Sequence, residues 1–263
     1  MFARRLSRAL IFAATVAACA DRAHADLRFD LRAKAVNGAP LSGTQTQHSI
    51  PNAIVGDIIT FDVFAVVRGT DANLTNDRFV QAIGSLRSTQ QVGSPNLLGD
   101  LLMDIVRTQY DPNTGEQVGP NGFDEAGSTV GVRQDLDEDG DLDVGSNIDS
   151  SPSNYWAVRY NGPVQGAFAG PPNGVRIGFG TFTVTSATPN SQTLLHFAGR
   201  DWWTGWNYWE DGVRYEGPSH DSILPESILV TGAVPEPCSV ALLGLACMSL
   251  CRRQRSKVFG EQT

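Results

Sequence analysis

The chain has 263 residues, 41% of them hydrophobic and 18% charged, with a formal net charge of −8. With its two unusual ends set aside, residues 26–232 carry 25 acidic and 12 basic side chains, a net charge of −13, and Lys34 as their only lysine. Such a surface argues against nucleic acid or anionic membrane as a partner and favours solubility and divalent cations.

At the start of the chain, Arg4, Arg5 and Arg8 form a basic region, Ala9 to Ala20 an apolar one, and Ala23-His24-Ala25 a small-x-small cleavage site before Asp26. That order describes a secretory signal peptide over residues 1–25. Val16-Ala17-Ala18-Cys19 also fits a lipoprotein signal in which Cys19 is acylated, although a second membrane attachment would then be redundant. Asp26 to Ala233 contains no cysteine, so an exported domain of this length has to hold together by its core or by metal. Its roughly 205 residues are enough to bury one.

From Asp26 to Val36 the residues alternate, with Leu27, Phe29, Leu31 and Ala33 on one face and Arg28, Asp30, Arg32 and Lys34 on the other. A period of two is a strand with one buried face. Ile58 to Val67 repeats it after a Gly56-Asp57 turn, and Arg78 to Gln91 adds another strand. Leu97 to Val106 fits a buried strand or a short helix equally well. Asn154 to Tyr160 reads as a strand built on Tyr155 and Ala157 or on Trp156 and Val158. Gly174 to Thr185 begins with Ile177 and Phe179 inward and changes phase to Phe182 and Val184, with Gly178 and Gly180 at the change, as a β-bulge requires. Thr193 to Ala198 and Ser227 to Thr231 complete the set. The connections are rich in Gly, Pro, Asn and Asp, and no internal repeat or sustained helical stripe is present. The pattern predicts an all-β fold: a single antiparallel β-sandwich, jelly-roll or cohesin-like, over residues 26–232. In general build this resembles the cohesin-like and carbohydrate-binding-module architectures of exported bacterial proteins, a likeness of pattern that fixes no function.

The sharpest chemical motif is Asp135-Leu136-Asp137-Glu138-Asp139-Gly140-Asp141-Leu142-Asp143. Carboxylates at alternate positions, with a glycine at the sixth for a tight turn, can curl around a hard cation that wants oxygen ligands. The stretch looks like the calcium loops of dockerins, EF-hands and integrin-type repeats. That likeness implies side-chain ligands from Asp135, Asp137 and Asp139, the carbonyl of Asp141, and Asp143 through water. It departs from the EF-hand at position twelve, where Ser146 stands in place of a bidentate Glu and Asp149 lies just beyond. Six acids in nine residues repel one another without a cation, so Ca2+ is the expected ligand of a loop spanning 135–149. The other reading is a solvated acidic loop.

Four of the five tryptophans, Trp202, Trp203, Trp206 and Trp209, fall within eight residues. Two readings fit. The rings could form a sugar-stacking platform with Asp201, Asn207 and Glu210 bonding hydroxyls, or they could be buried as core. Enzymatic signatures are sparse. His48, His196 and His220 form no zinc-type pair, there is no nucleophile elbow, and the neighbours Ser219-His220-Asp221 cannot readily take up triad geometry.

At the far end, Pro235-Glu236-Pro237 precedes an apolar run of about 14 residues, Cys238 to Cys251, and then Arg252-Arg253-Gln254-Arg255. As a helix the run would be about 21 Å long, short for a permanent span that needs roughly 20 residues. The arginines belong on the cytoplasmic side. These parts, in this order over residues 233–256 ahead of a short 257–263 tail, resemble the PEP-CTERM sorting signal of exported bacterial proteins. Cys238 follows the motif where a small hydroxyl residue is expected. The resemblance implies export, transient anchoring by the C-terminal segment, processing by exosortase, and a place at the cell surface or in the extracellular polysaccharide matrix. The function expected is thus a non-catalytic surface or matrix protein binding or organising extracellular polysaccharide. The alternatives are a cohesin-like protein–protein module, or a polysaccharide-acting enzyme whose carboxylate pair is invisible in sequence.

Overall fold

The computed structural model describes residues 27–67, 69–71, 73, 75–107, 128–146, 154–163, 171, 174–199, 206–217 and 226–234. Residues 1–25, expected to be a signal peptide, the Pro235-Glu236-Pro237 motif with its apolar run, Asp149, Trp202, Trp203 and the Ser219-His220-Asp221 triplet lie outside the described residues. Among the described residues no helix is long and apolar enough to cross a membrane.

The fold is two sheets face to face. The first has five strands in the order β2 (Ala39–Pro40), β1 (Leu27–Val36), β4 (Ile58–Val67), β10 (Gly174–Ser186) and β6 (Leu98–Ile105). The second runs β13 (Val213–Gly217), β12 (Trp206–Glu210), β5 (Arg78–Gln90), β11 (Gln192–Gly199), β14 (Ile228–Gly232) and β3 (Ser49–Ala53). Onto β5 pair also β8 (Asp143–Gly145), itself joined to β7 (Arg133–Gln134), and β9 (Trp156–Pro163). Among the described residues every pairing of these strands is antiparallel except β14 with β3. This is the antiparallel β-sandwich the alternation predicts.

The core follows from the period of two. Leu27, Phe29, Leu31 and Ala33 of β1 and Ile59, Phe61, Val63, Ala65 and Val67 of β4 are all buried on the inner face. Phe29 bridges the layers, its ring 4.2 Å from that of Phe197 on β11 and 6.3 Å, edge-on, from that of Phe79 on β5. A fully buried Phe or Leu contributes about 1.5–3 kcal/mol relative to exposure, so these alternating positions dominate the fold's stability.

Leu97 to Val106 resolves as a strand. Leu101, Met103 and Ile105 are buried while Leu102 between them is 56% exposed. Tyr155, Trp156, Ala157 and Val158 are all buried, so β9 is covered on both faces and alternation there could not choose between them.

One phase assignment is corrected. The register of β10 against β4 slips between Arg176 and Gly178, so the bulge comes before Phe179 rather than after it. Phe179 therefore points outward, 38% exposed, while Ile177, Phe182 and Val184 point in. The indole of Trp156 packs against this slip and fills the space at Gly178, where a Cβ would lie 2.8 Å from its Cζ2.

The first sheet is capped along its β1 edge and at one point on its β6 edge. On the β1 side, Leu31 N–H donates to Glu226 O, Glu226 N–H to Phe29 O and Ala33 N–H to Gln47 O, at 2.8–2.9 Å. On the β6 side, Leu101 N–H donates to Leu142 O at 2.7 Å. Such caps deny an open ladder to other chains.

Candidate metal centre

The acidic stretch is the loop of a miniature hairpin. Arg133 sits opposite Val144 and Gln134 opposite Asp143, so residues 135–142 turn between β7 and β8. Gln134 Nε2 donates to Gly145 O at 2.7 Å and ties the base. Gly140, at φ +101°, allows the tight return, and Glu138 also takes a left-handed φ of 61°.

Each aspartate has a distinct task. At the outer turn, Asp135 accepts the N–H groups of Asp139 and Gly140 at 3.2 and 3.0 Å, and Asp139 accepts Asn96 Nδ2 at 2.8 Å. Asp143 acts as a substitute strand beside β5: its Oδ1 accepts Ser88 N–H at 2.9 Å and its Oδ2 accepts Leu136 N–H at 3.2 Å. Both oxygens of Asp141 accept the Ser88 hydroxyl, at 3.0 and 2.9 Å, and its Oδ2 also accepts Gly99 N–H at 2.9 Å. Ser88 lies on β5 of one sheet and Gly99 on β6 of the other, so the loop clasps the two layers together.

The carboxylates converge in two overlapping groups. Oxygens of Asp135, Asp137 and Asp139 lie within 4.8 Å of one another, as do those of Asp137, Asp141 and Asp143. Asp137 is common to both, and its Oδ1 is buried with no hydrogen-bond partner. Asp141 and Asp143 are 1% and 0% exposed. The structure thus turns the Asp141 side chain, not only its carbonyl, toward the cluster, and buries Asp143.

Burying like charges this close moves their titration. Desolvation pushes Asp141 up to about 8 against the opposing bond from Gly99, and Asp143 up to about 7 against the bond from Ser88. Burial, followed by the charge of Asp139, raises Asp137 as well. Such a cluster is neutralised by protons or by a cation. An all-oxygen donor set with no sulfur or imidazole suits a hard ion such as Ca2+ or Mg2+.

A pH dependence follows for the cation-free protein. The folded-state values of Asp141 and Asp143 lie above the unfolded 3.8, so the folded state binds more protons between about pH 4 and pH 8. Stability is therefore greatest at the acid end of that window, falls as pH rises through it, and levels off above it. Thermal melts in chelator should show Tm falling from pH 5 to pH 8, and saturating calcium should flatten or reverse that slope.

Of the described tryptophans, Trp206 is buried, 5.3 Å from the ring of Tyr208, which stacks on Tyr215 at 5.4 Å. Trp209, on the opposite face of β12, is 37% exposed. The stretch is half of a β-hairpin turned at Asp211-Gly212, with φ of 48° and 77°. That Asp-Gly dipeptide is a recognisable hairpin signal in the sequence.

A second cluster had no sequence signal. Buried Asp30 accepts Arg32 Nε at 2.7 Å and His48 Nε2 at 2.8 Å, with Glu226 Oε2 4.0 Å from the same imidazole nitrogen. Arg28 reaches Glu226 at 3.5 Å. With two guanidiniums balancing the two acids, this is an ion-pair network tying β1 to the two segments that cap its edge.

No family model and no curated protein matches the chain. Among solved structures it is similar to the seventh ScaB type I cohesin from Pseudobacteroides cellulosolvens, at 11% identity and a TM-score of 0.30, covering 80% of this chain and 95% of that one. So distant a likeness assigns neither partner nor activity.

Proposed function

We propose that the chain is an exported, non-catalytic surface or matrix protein that is sorted by exosortase through its PEP-CTERM-like tail. Its sandwich is stapled by calcium and binds extracellular polysaccharide. The observation that carries the calcium part is the convergence of Asp137, Asp141 and Asp143 where β5 of one sheet meets β6 of the other. A cation there replaces protons that the cluster otherwise has to hold, and locks the layers of a domain that has no cysteine to do so. Export fits that need, because extracellular calcium modules work at roughly 0.1–1 mM ion.

The test is a melt of the mature chain with calcium, with magnesium and with chelator. Calcium at 100 times its dissociation constant should stabilise by about 2.7 kcal/mol, which raises Tm by about 5–10 °C in a domain of this size. Magnesium, which demands a tighter octahedron, should do less. No shift with either ion would remove the staple. The non-catalytic part is checked by incubating the protein with a polysaccharide it binds, where no new reducing ends should appear.

A further inference from the structure

The outward face of the first sheet holds a groove of ≈ 560 Å³ that belongs to none of the sites above. Thr60, Asp62 and Thr181 of the central strands line it, Lys34 comes from β1, and Leu102 and Asp104 come from β6. Asp62, itself only 7% exposed, fixes both cations of the groove: Lys34 Nζ lies 3.2 Å from its Oδ2 and an Arg176 terminal nitrogen 2.8 Å from its Oδ1. The Arg176 guanidinium sits 4.9 Å from the centroid of the Phe179 ring. That ring is the one the β10 bulge turns outward; it stands opposite Asp104, and the exposed Leu102, opposite Thr181, lines the same groove.

We propose that this groove binds an uncharged segment of a polysaccharide chain; the proposal rests on the polysaccharide-binding reading above and gives it a site. A sugar ring has an apolar C–H face and a rim of hydroxyls. The groove offers the complement, a flat ring for the face and, around it, charged donors and acceptors already held in place by one another. Hydrogen bonds to ionised groups are the stronger kind, and groups fixed beforehand lose little freedom on binding. The ligand is neutral because Asp62 already pairs both cations of the groove, Asp104 pairs Arg107 at 3.7 Å, and the domain's overall field repels polyanions. An extended peptide is the poorer occupant. Strand addition needs open backbone at an edge, whereas the groove lies on the face of the sheet, and its edges are capped along β1 and at Gly99 and Leu101 of β6.

The groove is also coupled to the acidic loop. Its outer wall is β6, whose free edge is held by Leu142 O on Leu101 N–H and by Asp141 on Gly99 N–H.

The experiment measures binding of the mature chain to cello-oligosaccharide, laminarin, dextran and galactomannan as neutral probes, and to alginate and polygalacturonate as acidic ones. The result expected is saturable binding to a neutral probe, weakened roughly tenfold or more by Phe179→Ala, with an unchanged Tm, and weakened in the same direction by Lys34→Ala, a change at a half-exposed residue that serves if the first variant folds poorly. Binding that survives both substitutions but is lost on Trp209→Ala would overturn the groove while leaving a glycan-binding protein. Binding to acidic probes alone would also overturn it. No binding to any probe would overturn the groove and the polysaccharide reading together.

Discussion

Asp137→Asn should lower calcium affinity about 100-fold and, in chelator at pH 8, raise Tm. Asp137 is the one residue shared by the inner and outer carboxylate groups, with oxygens within 4.8 Å of both sets. Two like charges at that separation repel by roughly 3–4 kcal/mol at an effective dielectric of 20. Removing one charge therefore relieves the empty cluster and weakens the occupied one. The amide keeps the size of the side chain and one oxygen, so packing changes little. At pH 5 in chelator the gain should shrink, because Asp141 and Asp143 then carry protons and repel less. A substitution that stabilises without calcium and destabilises with it is the signature of a ligand. An acid that merely caps a turn would destabilise under both conditions. Asp141→Ala is the useful contrast. It leaves the buried Ser88 hydroxyl and Gly99 N–H without their acceptor, so it should cost stability even in chelator. Melts at two pH values with and without calcium, plus calorimetric titration, separate these outcomes.

What was legible in the sequence was what is local. Alternation in Leu27 to Val36 and Ile58 to Val67 placed the two strands that supply most of the first sheet's core, because burial of one face writes a period of two directly into the chain. The acidic loop was legible for the same reason, since its turn and its acids lie within nine residues. Its partners were not: Ser88 and Gly99 are 53 and 42 residues from Asp141, and only they explain why Asp141 and Asp143 are buried. The outward turn of Phe179 is not legible because the slip in register lies where Trp156 of another strand packs over Gly178, a contact local pattern does not record. The Asp30–His48–Glu226 network joins residues up to 198 apart along the chain, through Arg28 and Glu226, and local pattern carries no trace of it. The tryptophan-rich stretch drew attention by composition, while the plainer signal beside it, Asp211-Gly212, marked the hairpin that buries Trp206.

Trp156→Ala should cost about 3–5 kcal/mol and lower Tm by roughly 10–15 °C. The side chain is fully buried, its ring 5.9 Å from that of Phe197, and it occupies the space a side chain at Gly178 would need. Deleting it opens a cavity at the point where β9 of the second sheet meets the bulge of β10 in the first. Trp156→Phe should cost far less than its loss of volume suggests. Among the described residues the indole Nε1 has no hydrogen-bond partner, and a buried unsatisfied donor carries a penalty of about 1–3 kcal/mol that phenylalanine does not have. The phenyl ring still packs on Phe197 and over Gly178, so the bulge, and with it the outward setting of Phe179, should persist. Urea melts of the two variants test the energies, and amide exchange at Gly178 and Phe179 tests the bulge. If phenylalanine costs as much as alanine, the indole N–H is satisfied by an ordered water and its orphaning is not part of the balance. If phenylalanine is nearly neutral while alanine speeds exchange at the bulge, the ring's shape alone turns Phe179 to the surface.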